Sequence, residues 1–415
     1  MHILLLQFYD ETPISIEKIQ RRTAFLGKIL SQSGTHVTWI KSGFSHTQKK
    51  PLHGNSVRFL NEHYKIIHVP GLPYPSNGHI KRYWNDWVCT KQMLPMIKTF
   101  PKIDGMVVSI QNLVGAFCAA YFAKKHNIPL IVDIRDPWPD AFCYVVRRPI
   151  LRFFLKKLLF LDQFFLKTVL RNATAIVAVS NDMLQWGLRK IPNVQKPTRI
   201  FYLSSTPDVS LSENQEKIFQ EKYASIVSRK TFKCFYISKW GINFQPAFLI
   251  EAARALQKES VDFVLVGDGD YGDKIREQAK SLPNVYCPGF LSNEEAFFLA
   301  KHCDCGVVFL SKESEKQFFD LTPTFPNKAF FYFMCGLPIL NSMPGEIAEI
   351  VDAHALGLNF PSNDLASLQK KLLHLRDEPL LRKSMAEHSR MFFEQQGNPE
   401  KTYLQYAQFV KSFCV

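Results

Sequence analysis

The chain reads as an α/β protein built on two doubly wound parallel sheets, and three features predict this. Apolar strands alternate with helical stretches through the first half, and the same rhythm restarts after a polar interval at 204–230. The third is that 415 residues, 46% of them hydrophobic, supply two sizeable cores.

In order along the chain, an apolar strand at 2–8 leads to a helix near 15–31. Further strands read at 35–41, 64–69, 104–109, 129–133, 174–179 and 198–201, most separated by helical periodicity, which places helices on both faces of a mostly parallel sheet. Ser204-Ser205-Thr206-Pro207-Asp208 opens a polar stretch without periodicity, expected to be a linker. The plan repeats with strands near 232–237, 261–266, 284–287, 304–309 and 337–340, then helices through 363–376, 378–395 and 400–413. The expected domains are 1–203 and 231–395, joined by a linker at 204–230, with a cleft between them. Residues 396–415 form a last helix expected to pack back on the first domain.

Aromatic and hydrophobic content excludes a disordered protein. The apolar run Ile3–Leu6 ends at Asp10 and Glu11, too short for a signal-peptide core, and no eighteen uncharged apolar residues occur together, so a cytoplasmic chain without a membrane span is expected. Nine cysteines without C-x-x-C spacing fit a reducing compartment, and His302-Cys303-Asp304-Cys305 has no second ligand pair, so no metal site is expected. A net charge of +14 calls for an anionic partner.

The strand 261–266 ends in Gly267-Asp268-Gly269-Asp270 and runs into a short helix. A buried strand, a glycine turn and a helix start together form a place where phosphates lie against backbone N–H groups. Many α/β proteins carry such a turn without a nucleotide, so the rest of the chain must decide. The full G-x-G-x-x-G spacing of a nicotinamide enzyme is missing.

Several motifs in sequence order decide it: Ser238-Lys239-Trp240-Gly241, the FVLVGDGD strand, Pro283-Asn284-Val285 through Gly289-Phe290-Leu291, and Phe325-Pro326-Asn327-Lys328 running into Met334-Cys335-Gly336-Leu337-Pro338. This series resembles the donor domain of family 4 glycosyltransferases of the GT-B type. In the first half, His36-Val37-Thr38 and Asp133-Ile134-Arg135-Asp136-Pro137-Trp138-Pro139-Asp140 resemble the version found in bacterial O-antigen and capsule enzymes. The resemblance implies a GT-B fold and retaining, metal-independent sugar transfer from a nucleotide-diphosphate donor, UDP- or GDP-linked, with no cofactor beyond that co-substrate.

On that basis Ser238, Gly241, Gly267, Asp268, Gly269, Asn327 and Lys328 are candidate donor contacts, and Lys239, Arg135 and Asp136 candidate catalytic residues. Asn327 and Lys328 begin a helix whose free N–H groups and dipole favour a diphosphate, and Lys239 adds a second cation. The competing reading makes Lys328 a solvent-facing helix start and Lys239 an ordinary loop charge. Arg135 and Asp136 either face the expected cleft, as anion contact and acceptor-hydroxyl base, or form an internal ion pair bracing the loop. His68 and His79 lie near the Pro70–Pro75 loop without a spacing that singles them out.

Two departures stand out. The family usually carries two glutamates on this helix, the second holding the donor ribose, where this chain has Pro323 and Phe331. Neither accepts a hydrogen bond from a hydroxyl, so another group must hold the ribose. Residues 9–17 lack the glycine pair that relatives place after the first strand. The departures keep a degenerate, non-catalytic nucleotide-binding subunit of a glycan assembly complex as the alternative reading.

Residues 147–171 hold seven Lys or Arg against the single Asp162 and read as one helix. Arg148, Arg152, Lys156, Lys157, Lys167 and Arg171 fall on one half, with Phe153, Phe160 and Phe164 interleaved. Leu151, Phe154, Leu158, Leu161, Phe165 and Val169 fall on the other half, expected in the core. Rings among cations fit a helix on an anionic bilayer; helix packing competes, and nothing resembles a nucleic-acid-binding module. The expectation is a peripheral protein on the inner face of the cytoplasmic membrane with a lipid-linked saccharide acceptor and no nucleic-acid partner.

Overall fold

The computed structural model describes residues 1–414 apart from 14, 17–20, 47–48, 53–55, 76–78, 80, 147, 205–210, 313 and 315–324, and the side chains of 144 and 145. Two compact units divide the chain: Met1–Ser205 with Pro399–Val415, and Thr206–Asn398.

The first unit holds β1 (His2–Leu6), β2 (His36–Ser42), β3 (Val57–Asn61), β4 (Tyr64–Val69), β5 (Gly105–Ser109), β6 (Leu130–Ile134), β7 (Ala175–Ala178) and β8 (Thr198–Ile200). Their order in the sheet is β3-β4-β2-β1-β5-β6-β7-β8. Strand order reverses beside β1, which pairs in parallel with β2 and β5, and open sheets place their ligands at the carboxyl ends near such a point. Apolar side chains fill both faces because crossover helices cover both. The edge strand β3 was not expected: it pairs antiparallel to β4 and leaves Val57 and Phe59 exposed, so no buried apolar run announces it.

The second unit holds β9 (Phe232–Lys239), β10 (Val261–Asp268), β11 (Val285–Gly289), β12 (Cys305–Val308), β13 (Ile339–Asn341) and β14 (Gly357–Asn359), ordered β11-β10-β9-β12-β13-β14 and all parallel. Three residues led by a glycine gave β14 no strand signature. Both units are Rossmann-like, the expected fold class.

Three expectations need correction. The stretch expected as a linker contains the helix Glu213–Lys222, opened by a capping box between Ser212 and Gln215. No described residue of that helix is buried, so it has no apolar stripe to betray it; Tyr223 just beyond it donates to Glu295 at 2.9 Å. The first helix is described from Arg22 to Gln32, a later start than the sequence pattern gave. The basic stretch is two helices, Pro149–Leu158 and Phe160–Asn172, broken at the buried Leu159.

The last helix, Pro399–Lys411, belongs to the first unit. Tyr403 stacks on Phe25 with ring centroids 5.0 Å apart, and Tyr406 stacks on Phe201 at 4.6 Å. Full burial of rings this size stabilises by about 2–3 kcal/mol each. Tyr403 also donates to the Ser204 carbonyl at 2.9 Å.

Candidate functional site

In the second unit, the carboxyl ends of β9 and β10 approach each other closely. A Cβ on Gly267 would lie 1.9 Å from the Ser238 carbonyl oxygen, and one on Gly269 would lie 2.8 Å from the Trp240 carbonyl oxygen. Both glycines have positive φ, +137° and +151°. Their missing side chains admit the neighbouring loop. Asp268 is taken up locally, accepting from the Gly269 N–H at 2.8 Å and pairing with Arg276 at 3.0 Å. Those two contacts, the first the larger, hold its carboxyl below the usual carboxylate range. Gly241, by contrast, has open space where a Cβ would be.

Lys328 comes to the same end from the helix Asn327–Met334, whose first turn has no side-chain cap. Its ammonium lies 4.4 Å from the Tyr236 ring centroid and 4.3 Å from that of Phe244, and 3.3 Å from the Tyr236 hydroxyl. Tyr236 and Ser238 both donate to the Phe244 carbonyl, at 2.7 and 2.9 Å. Ser238 and Lys328, ninety residues apart in sequence, thus share one small cluster. Burial among these rings pushes the Lys328 ammonium down to about 7. Lys328 is thus half-buried against these rings, while Lys239 and Asn327 are exposed. Tyr236 and Phe244 carried no signal in the sequence, since aromatic residues in and after a strand usually mean core.

Phe331, one turn further along this helix, stacks on the buried Phe235. Pro323 lies outside the described residues.

In the first unit, Arg135 is not an open anion contact. It donates to Asp133 at 2.9 Å, to Asp10 at 2.7 Å and to Thr23 at 2.8 Å, and its side chain is 9% exposed. Asp133 also takes both arms of Arg22, at 2.9 and 3.0 Å. Burial opposes the charges on Asp10 and Asp133, but the guanidinium of Arg135, joined at Asp133 by that of Arg22, outweighs it and holds both carboxyls low. Asp10, in the loop after β1, is thereby held by an ion pair. Lys41 adds to it, donating to the Asp10 carbonyl and to Thr12. His68 is equally internal, bonded to Thr12 and Ser56.

Asp136 differs from its neighbour. It accepts from Gln111, whose side-chain oxygen accepts from Gln7 at 2.5 Å, so the carboxyl ends of β1, β5 and β6 meet at three side chains. Burial raises the Asp136 carboxyl, only partly offset by Gln111 and the nearby guanidiniums. Beside it the Arg82 guanidinium lies between the rings of Tyr9 and Trp138, 4.5 Å from each centroid, in a recess also lined by Tyr83, Gln111 and Phe142. Sequence reasoning missed Gln7, Arg82 and Gln111, single polar residues in separate segments. A larger recess lined by His2, Thr38, His63 and Lys65 lies at the amino ends of β1, β2 and β4, away from the ligand end of the sheet.

The basic segment departs most from expectation. No described residue of Pro149–Leu158 is buried, and Leu151, Phe154, Leu158 and Leu161, expected in the core, are exposed, Leu158 at 78%. Phe153, Phe160 and Phe164 are exposed as expected, and so are Lys156 and Lys157. Only past the break do Leu166, Val169 and Leu170 reach the core. Among the described residues of this chain, the first helix thus does not bury its apolar half.

Residues 233–378 match the family model described as Glycosyl transferases group 1, which spans β9 to the helix after β14. This stretch is a glycosyl transferases group 1 domain. The group 1 domain contains Ser238, Gly267, Asn327 and Lys328, and the whole chain has the GT-B fold. Among solved structures, the chain is similar to sucrose-phosphate synthase from Thermosynechococcus elongatus, with TM-score 0.71, 14% identity and coverage of 99% of this chain and 98% of that one. It is similar to HepE from Anabaena in complex with UDP, with TM-score 0.65, 14% identity and coverage of 99% and 100%. WaaG, described as a glycosyltransferase involved in lipopolysaccharide biosynthesis, gives TM-score 0.62 at 12% identity over 98% and 99%. None of the curated proteins matches the sequence.

Proposed function

We propose that the protein transfers a sugar from a nucleotide-diphosphate donor, UDP- or GDP-linked, to a lipid-linked saccharide in the assembly of a bacterial surface glycan. The observation that carries this is the Lys328 cluster: within the group 1 domain, a lysine, an uncapped helix start and the end of β9 converge at the carboxyl edge of the sheet. A diphosphate placed there gains the lysine charge, the helix dipole and free N–H groups. When the bond between the sugar carbon and the diphosphate oxygen breaks, negative charge grows on that oxygen. Lys328, Lys239 and the helix start stabilise it, the term that usually contributes most. With charge supplied this way the reaction needs no metal ion, and the family resemblance makes it retaining. In the first unit Asp136, with its raised carboxyl and its bond to Gln111, is the acceptor-hydroxyl partner.

The exposed basic segment supports the lipid acceptor. Among the described residues no helix is long and apolar enough to cross a bilayer, but Pro149–Leu158 presents rings, leucines and lysines to solvent together. This is the composition of a helix lying at the headgroup boundary of an anionic leaflet. We place the protein on the inner face of the cytoplasmic membrane. Phe331 on Phe235, where relatives keep a ribose-binding carboxylate, favours a second reading: a nucleotide-binding subunit without turnover.

The test is nucleoside diphosphate release from a panel of UDP-, GDP- and dTDP-sugars, with anionic liposomes and a bacterial lipid extract as acceptor source. Release from one donor establishes the transferase. Nucleotide binding without release from any donor selects the second reading, and absence of both binding and release overturns the donor site.

A further inference from the structure

We propose that Trp84 and Trp87 enter the same anionic lipid surface as the basic segment, so that the first unit grips the membrane through two neighbouring stretches of chain. The proposal rests on the membrane reading above and extends it to a helix with no basic cluster. In the helix Lys81–Ile97, Arg82, Asp86, Cys89, Met93 and Ile97 lie on the buried face. At about 100° per residue, Trp84, Trp87 and Lys91 lie opposite. The two tryptophans, one turn apart, are 63% and 55% exposed. Indole is the side chain most at home where hydrocarbon meets headgroups, and two of them facing water side by side need a partner that is apolar on one side and wet on the other.

The partner is lipid rather than another protein face because of where the charges go. The helix Lys81–Ile97 and the segment Pro149–Asn172 carry two acidic residues, Asp86 and Asp162, and both are engaged internally. Asp86 takes the Tyr9 hydroxyl and Asp162 takes the Tyr83 hydroxyl at 2.9 Å. The exposed charges left on these stretches, Lys81, Lys91, Lys156, Lys157, Lys167 and Arg171, are all positive. A surface of exposed rings with uniform positive charge is complementary to an anionic bilayer.

The Tyr83–Asp162 bond also makes the two stretches neighbours. It joins the residue before Trp84 to the one between Phe160 and Phe164 in sequence. Lys81–Ile97 returns from β4 toward β5, and Phe160–Asn172 returns toward β7, so the first turns of both lie toward the carboxyl ends of the strands. Asp136 and Gln111 lie at those same ends. A lipid headgroup held at this surface carries its saccharide toward Asp136 without leaving the membrane.

The test uses the full chain and vesicles of phosphatidylglycerol and phosphatidylcholine with brominated acyl chains, which quench only tryptophan that reaches them. Of the six tryptophans, Trp39, Trp186 and Trp240 are buried and silent in this respect. We expect quenching of the bound wild type and its loss in the Trp84→Phe/Trp87→Phe pair, which still sediments with vesicles. Trp84→Ser/Trp87→Ser should weaken vesicle partitioning about tenfold or more at unchanged thermal stability. Wild-type sedimentation with no quenching change in the Phe pair, or wild-type-like binding of the Ser pair, overturns this proposal and leaves the basic segment as the membrane contact. A wild type that does not sediment overturns both.

Discussion

Phe331 lies over Phe235 with ring centroids 6.2 Å apart and planes inclined by 28°, on the helix whose start carries Lys328. A carboxylate at 331 would face an apolar ring with no donor supplied by it. Phe331→Glu should therefore lower stability by about 1–3 kcal/mol in urea unfolding, with no gain in nucleotide affinity. An affinity gain in titration would mean that the site has lost a ribose clamp it once used.

The depressed Lys328 ammonium makes two pH effects follow. Between about 7 and its unfolded value the unfolded chain holds a proton there that the folded one has shed, so stability should rise with pH across that window. A bound diphosphate favours the charged lysine, so UDP or GDP binding should take up a proton and weaken as pH climbs above about 7. Calorimetry in buffers of different ionisation enthalpy checks this, and Lys328→Met should abolish the uptake.

Lys239 is exposed, and its removal should leave folding almost untouched. Lys239→Ala should change stability by less than about 0.5 kcal/mol while reducing sugar transfer on the order of a hundredfold. Equal turnover of this variant and the wild type would remove Lys239 from the site.

Arg135 predicts the reverse pattern. Arg135→Ala leaves Asp10 and Asp133 short of their shared cation in a buried setting, at a cost of about 3–5 kcal/mol. Loss of soluble, folded protein is the expected outcome, whereas a well-folded variant with weakened anion binding would restore the reading in which Arg135 meets substrate.

Charge reversal at Lys156 and Lys157 should release the protein from anionic vesicles in sedimentation, with thermal stability unchanged because both side chains are exposed. Raising salt should mimic the reversal in the wild type.

Much of the fold was legible because buried parallel strands announce themselves: β1 and β10 are near-continuous apolar runs ended by polar or glycine residues. The elements that escaped are those whose stability lies elsewhere. The strand β3 is an exposed edge, β14 is three residues held by β13, and Glu213–Lys222 buries nothing. The sites follow the same division. Lys328 stood at a helix start that sequence marks, but its cage of Tyr236 and Phe244 depends on a loop turning back over β9. Arg135 looked like a substrate contact because its partners, Asp10 and Thr23, lie more than a hundred residues away. The segment 147–171 misled differently: periodicity reports which residues share a face, and nothing in it says whether that face is covered by the rest of the chain or left exposed.

The stacking of Tyr403 on Phe25 and of Tyr406 on Phe201 bears on the order of events during synthesis. The N-terminal sheet is translated first, yet one of its covering layers comes from residues after 398. While the group 1 domain is being made, the apolar surface around Phe25 and Phe201 waits without its cover, and the buried pair of Arg22 and Asp133 beneath Tyr406 stays open to water. The second unit can close on its own sequence as it emerges; the first reaches its final form only when the helix Pro399–Lys411 arrives to seal it.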